Sequence, residues 1–155
     1  MSFQEAFVRL LGHEGGYSNL VEDKGGETNW GISKRSYPNV DIKNLTMNQA
    51  GAIYKSDFWD RLQCDSLPEK VAFQLFDAGV NSGIRQATKW LQRAVDVDAD
   101  GFIGPRTLAA VSTRNESAVI ARFNGHRLEF MADLNDWSAF GRGWARRIAT
   151  NLKEA

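Results

Sequence analysis

The stretch His13-Glu14-Gly15-Gly16-Tyr17 places a carboxylate directly after a segment with the pattern of an amphipathic helix. In that segment Ser2 and Glu5 have the spacing of a capping box, and apolar residues recur at helical intervals through Leu11. The two glycines beside the carboxylate allow another molecule to approach the backbone closely. The pattern predicts a first helix that presents Glu14 near its C-terminal end, and Glu14 is the first candidate for an acid catalyst.

A second group of polar side chains follows nine residues later. Asp23 precedes the segment Gly25-Gly26-Glu27-Thr28-Asn29-Trp30-Gly31-Ile32, which combines a carboxylate, a hydroxyl and an indole ring with several glycines. Cleavage of a glycosidic bond uses two carboxylic groups, one that protonates the leaving oxygen and one that acts on the opposite face of the sugar. Glu14 and Asp23 are the first choice for this pair. Glu22 and Glu27 stay alternatives to Asp23, because the sequence does not say which acidic side chain turns inward.

Composition limits the size of the fold and its partners. The chain has 155 residues, 43% of them hydrophobic, with 19 basic and 19 acidic side chains, so we expect one compact unit and no overall charge that attracts nucleic acid. The single cysteine, Cys64, cannot form an internal disulfide and is expected to be a buried thiol. The N-terminus lacks the pattern of a secretory signal, and no apolar run is long enough to span a membrane. We therefore expect synthesis in the cytoplasm without a signal peptide, and no membrane contact. We also expect no metal or organic cofactor.

Helical spacing dominates the rest of the chain. Capping pairs at Thr46 with Gln49 and at Ser66 with Glu69 predict two helix starts, and the second helix is broken at Asn81-Ser82-Gly83. Further helices are predicted by the apolar pattern after Gly83, from Pro105, from Glu116 to about Leu134, and from about Phe140 through Leu152. The sequence therefore predicts a mainly α fold of six or seven helices, with a small irregular β and loop segment near residues 15–45.

Two further patterns have competing interpretations. Asp96 to Gly101 imitates the beginning of a calcium-binding loop, but position twelve is Thr107 rather than glutamate, so we interpret the segment as an Asx-rich turn that caps the next helix. Aromatic and basic residues alternate between residues 137 and 147, as in a face for membrane or nucleic acid. We expect instead a core-packing helix whose arginines form salt bridges or reach the anionic cell wall. The residues concerned are Trp137, Phe140, Arg142, Trp144, Arg146 and Arg147.

Together these residues resemble the muramidases of glycoside hydrolase family 108, found among phage endolysins and a few bacterial secretion-associated lysins. The resemblance rests on Glu14-Gly15-Gly16-Tyr17, on Asp23 to Ile32, on Asp77 to Gly83 and on Phe140 to Trp144. Asp98 to Leu108 resembles the small helical peptidoglycan-binding module that accompanies this catalytic part. The resemblance implies a lysozyme-like fold in which residues 1–82 form the catalytic part and residues 83–155 form a peptidoglycan-binding-like part packed on it.

The same resemblance implies a reaction and a set of site residues. The protein would hydrolyse the β-1,4 bond between N-acetylmuramic acid and N-acetylglucosamine of bacterial peptidoglycan, with Glu14 as the proton donor. The order of Glu14, Asp23 and Thr28 also resembles the catalytic set of phage lysozymes, which implies that Asp23 and Thr28 complete the set, and the Thr28 hydroxyl could hold the attacking water. Trp30 would stack on a sugar ring or fill the core. The candidates for substrate binding are Tyr17, Trp30, Asn81 and Ser82.

The implied role is that of an endolysin that acts on the cell wall, in the periplasm of a bacterial host, after a holin opens the route across the inner membrane. A secretion-associated bacterial muramidase fits the same sequence. Two alternatives differ in chemistry. One is a non-catalytic peptidoglycan-binding protein that uses the Asp98 to Leu108 module, and the other is a lytic transglycosylase.

Overall fold

The computed structural model describes residues 1–12, 16–19 and 26–155 of the chain. Within these ranges it contains seven α-helices and one two-stranded antiparallel sheet. The chain divides into two units, Met1–Asp57 and Phe58–Ala155. The mainly helical, lysozyme-like fold with a small β segment is therefore confirmed, whereas the division into parts at residues 82 and 83 stays a prediction.

The first unit contains two helices and the sheet. The elements are α1 (Phe3–Leu11), β1 (Thr28–Asn29), β2 (Ile32–Ser33) and α2 (Met47–Tyr54). Both predicted capping boxes of this unit are present, at Ser2 with Glu5 and at Thr46 with Gln49. The buried rings of Phe7 and Tyr54 lie 5.4 Å apart between their centroids. A side chain on the α2 residue Gly51 would lie 3.1 Å from the Phe7 ring, so the small residue allows close packing of α1 on α2.

The second unit is wholly helical in its regular structure. After a π-helical turn that joins the units (Lys55–Trp59) and a 3₁₀ helix (Cys64–Ser66), it contains α3 (Glu69–Ser82), α4 (Ile84–Ala94), α5 (Pro105–Ser112), α6 (Glu116–Ala132) and α7 (Trp137–Lys153). Helix α3 is buried along most of its length and packs against α4 and α6. The predicted burial of Cys64 is confirmed, and burial raises the pKa of its thiol. No helix in the described ranges is both long and apolar enough to span a bilayer.

The predicted capping box at Ser66 and Glu69 is wrong. Ser66 ends the 3₁₀ helix, and α3 begins at Glu69 after Pro68, with no side-chain hydrogen bond at its cap. The reason is Leu67, whose backbone is extended at φ −108° and ψ 155°. A residue before proline avoids helical dihedrals, so the chain cannot continue as a helix from Ser66 into α3.

The segment Asp96 to Gly101 forms the predicted turn but does not cap α5. The Asp100 carboxylate accepts a hydrogen bond of 2.9 Å from the Phe102 amide and one of 2.8 Å from the Gln92 side chain, whereas α5 is preceded by Gly104 without a side-chain cap. The Asp96 carboxylate pairs with Arg114 and Arg122. The acidic side chains at positions 96 and 100 are therefore used in contacts within the protein.

The aromatic helix α7 begins one turn earlier than predicted, at Trp137. The prediction that its aromatic residues pack in the core is wrong for Phe140, which is 57% exposed, while Trp137 and Trp144 are half-buried. The Trp137 ring lies so close to Gly141 that a β-carbon there would be only 2.3 Å from it. The rings therefore pack on one another and on the backbone of their own helix.

Candidate active site

The glycine-rich segment forms a tight β-hairpin. Thr28 pairs with Ser33 and Asn29 with Ile32, which leaves Trp30 and Gly31 as a two-residue loop. Both loop residues have positive φ, 52° for Trp30 and 76° for Gly31. A two-residue hairpin with positive φ at both positions has the character of a type I′ turn, whose twist matches that of the flanking strands. The predicted small β segment is confirmed, and its turn depends on a glycine at position 31.

Thr28 is fixed by backbone pairing on both edges of its strand. Besides its pairing with Ser33, its amide and carbonyl exchange hydrogen bonds of 2.7 Å with the backbone of Ser18. Its hydroxyl donates a hydrogen bond of 3.1 Å to the Gly26 carbonyl. Because a hydroxyl has one hydrogen and two lone pairs, the oxygen of this half-buried side chain can still accept a hydrogen bond.

Tyr17 lies next to this bridge and is 46% exposed. Its hydroxyl donates a hydrogen bond of 3.0 Å to Oε1 of Glu27. Desolvation, together with this hydrogen bond and the charge of Glu27, raises the pKa of the Tyr17 phenol, so it remains a protonated donor at neutral pH. Glu27, one of the alternatives for the second carboxylate, is thus half-buried and held by Tyr17.

Trp30 is anchored by hydrogen bonds but is not buried. Its indole Nε1 donates to the Leu45 carbonyl at 2.9 Å, and its own carbonyl accepts from the Tyr54 hydroxyl at 2.9 Å. The side-chain amide of the neighbouring Asn29 donates a hydrogen bond of 3.1 Å to the Ile42 carbonyl. These bonds fix the hairpin on the loop that precedes α2, and the half-buried indole keeps part of its surface accessible.

The two other candidates for substrate binding lie in the second unit, at the C-terminal end of α3. Asn81 is exposed and Ser82 is half-buried. The Asn81 side-chain oxygen accepts a hydrogen bond of 3.2 Å from Arg127. The structure therefore brings Tyr17, Thr28 and Trp30 together in the first unit and places Asn81 and Ser82 on a helix of the second. Glu14 and Asp23, with His13 and the alternative Glu22, lie outside the described residues.

A buried charge cluster is the polar feature that sequence reasoning missed. Asp77 and Arg127 are fully buried and pair at 2.9 Å, and Asp77 also pairs with Arg147 at 2.9 Å and accepts from Asn151 at 2.8 Å. Burial opposes ionisation of Asp77, but the attraction of Arg127 and Arg147 outweighs it, and the pKa of Asp77 lies below its ordinary value. The signal was a carboxylate within the apolar stretch of α3, one helical turn before Asn81.

The role expected for the arginines of α7 is partly confirmed by this cluster, because Arg147 forms a salt bridge. In the described part of the chain, no group of three or more histidine, cysteine, aspartate or glutamate side chains is arranged to hold a metal ion. In the first unit, the hairpin carries Thr28 and Trp30, and Tyr17 lies beside it, next to the bridge between Ser18 and Thr28.

Comparison with known proteins identifies the class. The family described as Glycosyl hydrolase 108 matches residues 7–83, and the family described as Predicted Peptidoglycan domain matches residues 86–149. Among solved structures, the one titled "Structure of Brucella abortus SagA" is 33% identical, with 98% of this chain and 92% of that chain covered and a TM-score of 0.88. No curated protein matches the chain.

The protein is thus a glycoside hydrolase with a peptidoglycan-binding domain, and peptidoglycan is its partner. The chain belongs to the glycosyl hydrolase 108 family, which confirms the family resemblance read from the sequence.

Proposed function

We propose that the protein is an N-acetylmuramidase that hydrolyses the β-1,4 bond between N-acetylmuramic acid and N-acetylglucosamine, with Glu14 as general acid. The family match to residues 7–83 includes Glu14, Asp23 and Thr28, which supports this assignment. The observation that carries the proposal is the fixed position of Thr28. Its hydroxyl donates its hydrogen to the Gly26 carbonyl, while the hydroxyl oxygen can still accept a hydrogen bond. That arrangement suits the orientation of a water molecule.

The proposed chemistry is a single displacement. Glu14 protonates the leaving oxygen as the sugar acquires oxocarbenium character, and Asp23 removes a proton from a water on the opposite face. The water donates its second hydrogen to the Thr28 oxygen, which directs a lone pair of the water at the anomeric carbon. Such a mechanism requires the two carboxyl groups to stand roughly 6.5–9.5 Å apart, so that the water fits between the base and the sugar.

Substrate binding in this proposal uses the accessible faces of Tyr17 and of the hairpin residue Trp30. The Tyr17 phenol and the Trp30 indole provide apolar rings with polar edges, a combination that suits a sugar with both faces and hydroxyls to contact. Asn81 and Ser82 provide hydrogen-bonding groups at the end of α3.

The biological role we propose is lysis of a bacterial host by a phage endolysin, with a holin as the route to the wall. The resemblance to phage muramidases supports this role. A secretion-associated muramidase would use the same site and the same chemistry.

The decisive experiment compares Glu14→Gln with the native chain on purified peptidoglycan. Loss of a general acid lowers the rate by about 10²–10⁴-fold, so clearing of a wall suspension should stop while wall binding and the melting temperature stay nearly unchanged. Glu116→Gln, a matched change at the first turn of α6, should clear walls at the native rate. Clearing by Glu14→Gln at the native rate would exclude Glu14 as the acid.

Product analysis separates the alternatives in the same experiment. Hydrolysis leaves N-acetylmuramic acid at the reducing end, whereas a lytic transglycosylase leaves its anhydro form. A native chain that binds walls and releases neither product would be a non-catalytic binding protein. Thr28→Val should slow hydrolysis, and Thr28→Ser, which keeps the hydroxyl, should restore most of the rate.

A further inference from the structure

A pocket with mixed charges lies in the second unit. Its volume is about 330 Å³, which lies at the lower end of the range for small-molecule sites. It lies within residues 86–149, the range matched by the peptidoglycan domain. The lining residues are Trp90, Arg93, His126, Glu129, Phe130 and Asp133.

Helical spacing explains why these side chains share one pocket. Trp90 and Arg93 are one turn apart on α4, and His126, Glu129 and Phe130 lie on one face of α6, with Asp133 directly after that helix. Residues three and four apart are neighbours on a helix surface. Because α4 and α6 pack against each other, the two rows face the same space.

The charged side chains of the pocket are not paired with other side chains in the part of the chain that the structure describes. Among the described residues, Arg93, His126, Glu129 and Asp133 have no side-chain hydrogen bond or ion pair. Elsewhere in this unit, opposite charges do form ion pairs. Asp96, just after α4, pairs with Arg122 of α6 at 2.9 Å. The pocket therefore keeps a guanidinium and two carboxylates available to a ligand.

The wall of the pocket is aromatic. The Trp90 and Phe130 rings meet edge to face with their centroids 5.4 Å apart. Trp90 is buried, whereas Phe130 is 40% exposed and offers its ring to the pocket. An apolar wall with separate positive and negative groups suits a ligand that has an aliphatic part and both a carboxylate and an amine.

We propose that this pocket binds the peptide stem of peptidoglycan. The sugars of the glycan carry mainly hydroxyl and acetamido groups, whereas the stem carries carboxylates, an amine on its diamino acid and short aliphatic side chains. In the complex Arg93 binds a stem carboxylate, Glu129 and Asp133 bind the ammonium group, and Phe130 covers the aliphatic part. The inference rests on peptidoglycan as the substrate but not on Glu14 or on hydrolysis.

The test is titration of the ¹⁵N-labelled full chain with a free stem tetrapeptide that has an unblocked diamino acid. The Trp90 indole and His126 imidazole signals should shift. Loss of a charge-assisted hydrogen bond should raise Kd about tenfold in Arg93→Gln and in Glu129→Gln. The matched controls Arg61→Gln and Glu116→Gln change charges outside the pocket and outside the Asp98 to Leu108 module, and they should leave Kd unchanged.

Modified peptides assign each charge. Amidation of the stem carboxylates should weaken binding to the native chain but not to Arg93→Gln, and acetylation of the amine should weaken binding to the native chain but not to Glu129→Gln. Equal Kd values for the pocket variants and their controls, or shifts only with a peptide-free glycan, would overturn the proposal. Glu14→Gln should bind the peptide normally, so failure of the proposed hydrolysis and failure of this site give different results.

Discussion

Two polar clusters of the chain are held in place in opposite ways, one by ion pairs between its own side chains and the other by backbone hydrogen bonds. Around Asp77, the carboxylate, the Arg127 guanidinium and the Asn151 amide are buried, the Arg147 guanidinium is half-buried, and these groups bind one another. Around Thr28 and Tyr17, polar side chains stay half-buried or exposed, and the backbone of the hairpin supplies most of the restraint.

The difference separates a structural role from a chemical one. A buried ion pair is costly to desolvate and is strongly destabilising when one partner is removed, so it fixes how α3, α6 and α7 pack. A hydroxyl on the hairpin or a phenol beside it contributes less to folding but keeps an acceptor or a donor for a substrate. Substitutions in the first cluster should therefore change stability, and substitutions in the second should change activity.

The largest expected effect is that of Asp77→Ala. The variant leaves Arg127 buried without its counter-charge, which should lower the free energy of unfolding by about 3–5 kcal/mol. Chemical denaturation followed by circular dichroism measures this loss. Asp98→Ala, at an exposed position, should change stability by less than about 0.5 kcal/mol. A loss as small for Asp77 as for Asp98 would show that the cluster does not hold the helices together.

The pH dependence of the free energy of unfolding tests whether the contribution of Asp77 comes from its charge. The pKa of Asp77 is depressed in the folded state, so its contribution is complete above the unfolded-state pKa of about 3.9 and is lost as the pH falls through the folded-state value. The native chain should thus lose stability below about pH 4. The corresponding curve of Asp77→Ala should be flatter in that range.

The same contrast explains what the sequence could and could not predict. Local signals were sufficient for the small β segment near residues 15–45 and for the capping boxes at Ser2 and Thr46. Partners distant in sequence were not predictable in this way. Asp77 meets Arg127 and Arg147 across 50 and 70 residues, and no local pattern names such a pair.

Errors at helix ends have a related cause. Ser66 has the right spacing from Glu69 for a capping box, but Pro68 imposes an extended Leu67 and overrides that preference. The aromatic positions of α7 have the helical spacing of a buried stripe, yet Phe140 is exposed with its ring against Trp144, and Trp137 packs on Gly141 of its own helix. The sequence predicted that Tyr17 and Trp30 lie in the small β and loop segment. Their roles in substrate binding stay predictions.

A smaller effect on stability, with a larger one on activity, is expected for Gly31→Ala. Its φ of 76° is left-handed, a conformation that costs a residue with a β-carbon about 1–2 kcal/mol. Relief of that strain would distort the hairpin and move Thr28, so hydrolysis of peptidoglycan should slow. Gly31→Asn is the matched control, because asparagine tolerates positive φ, and it should restore both the melting temperature and the rate. Identical behaviour of the two variants would argue against a role for the turn.

The smallest change in stability is expected for Tyr17→Phe. Removal of an exposed hydroxyl should change the free energy of unfolding by less than about 0.5 kcal/mol, while loss of the bond that holds Glu27 and of a substrate contact should raise KM about two- to tenfold. Tyr37→Phe removes the comparable bond from a phenol to Asp57 in the same unit and should leave KM unchanged. If Tyr37→Phe raised KM equally, the effect would come from general loosening of the unit, and the exposed cluster would be structural like the buried one.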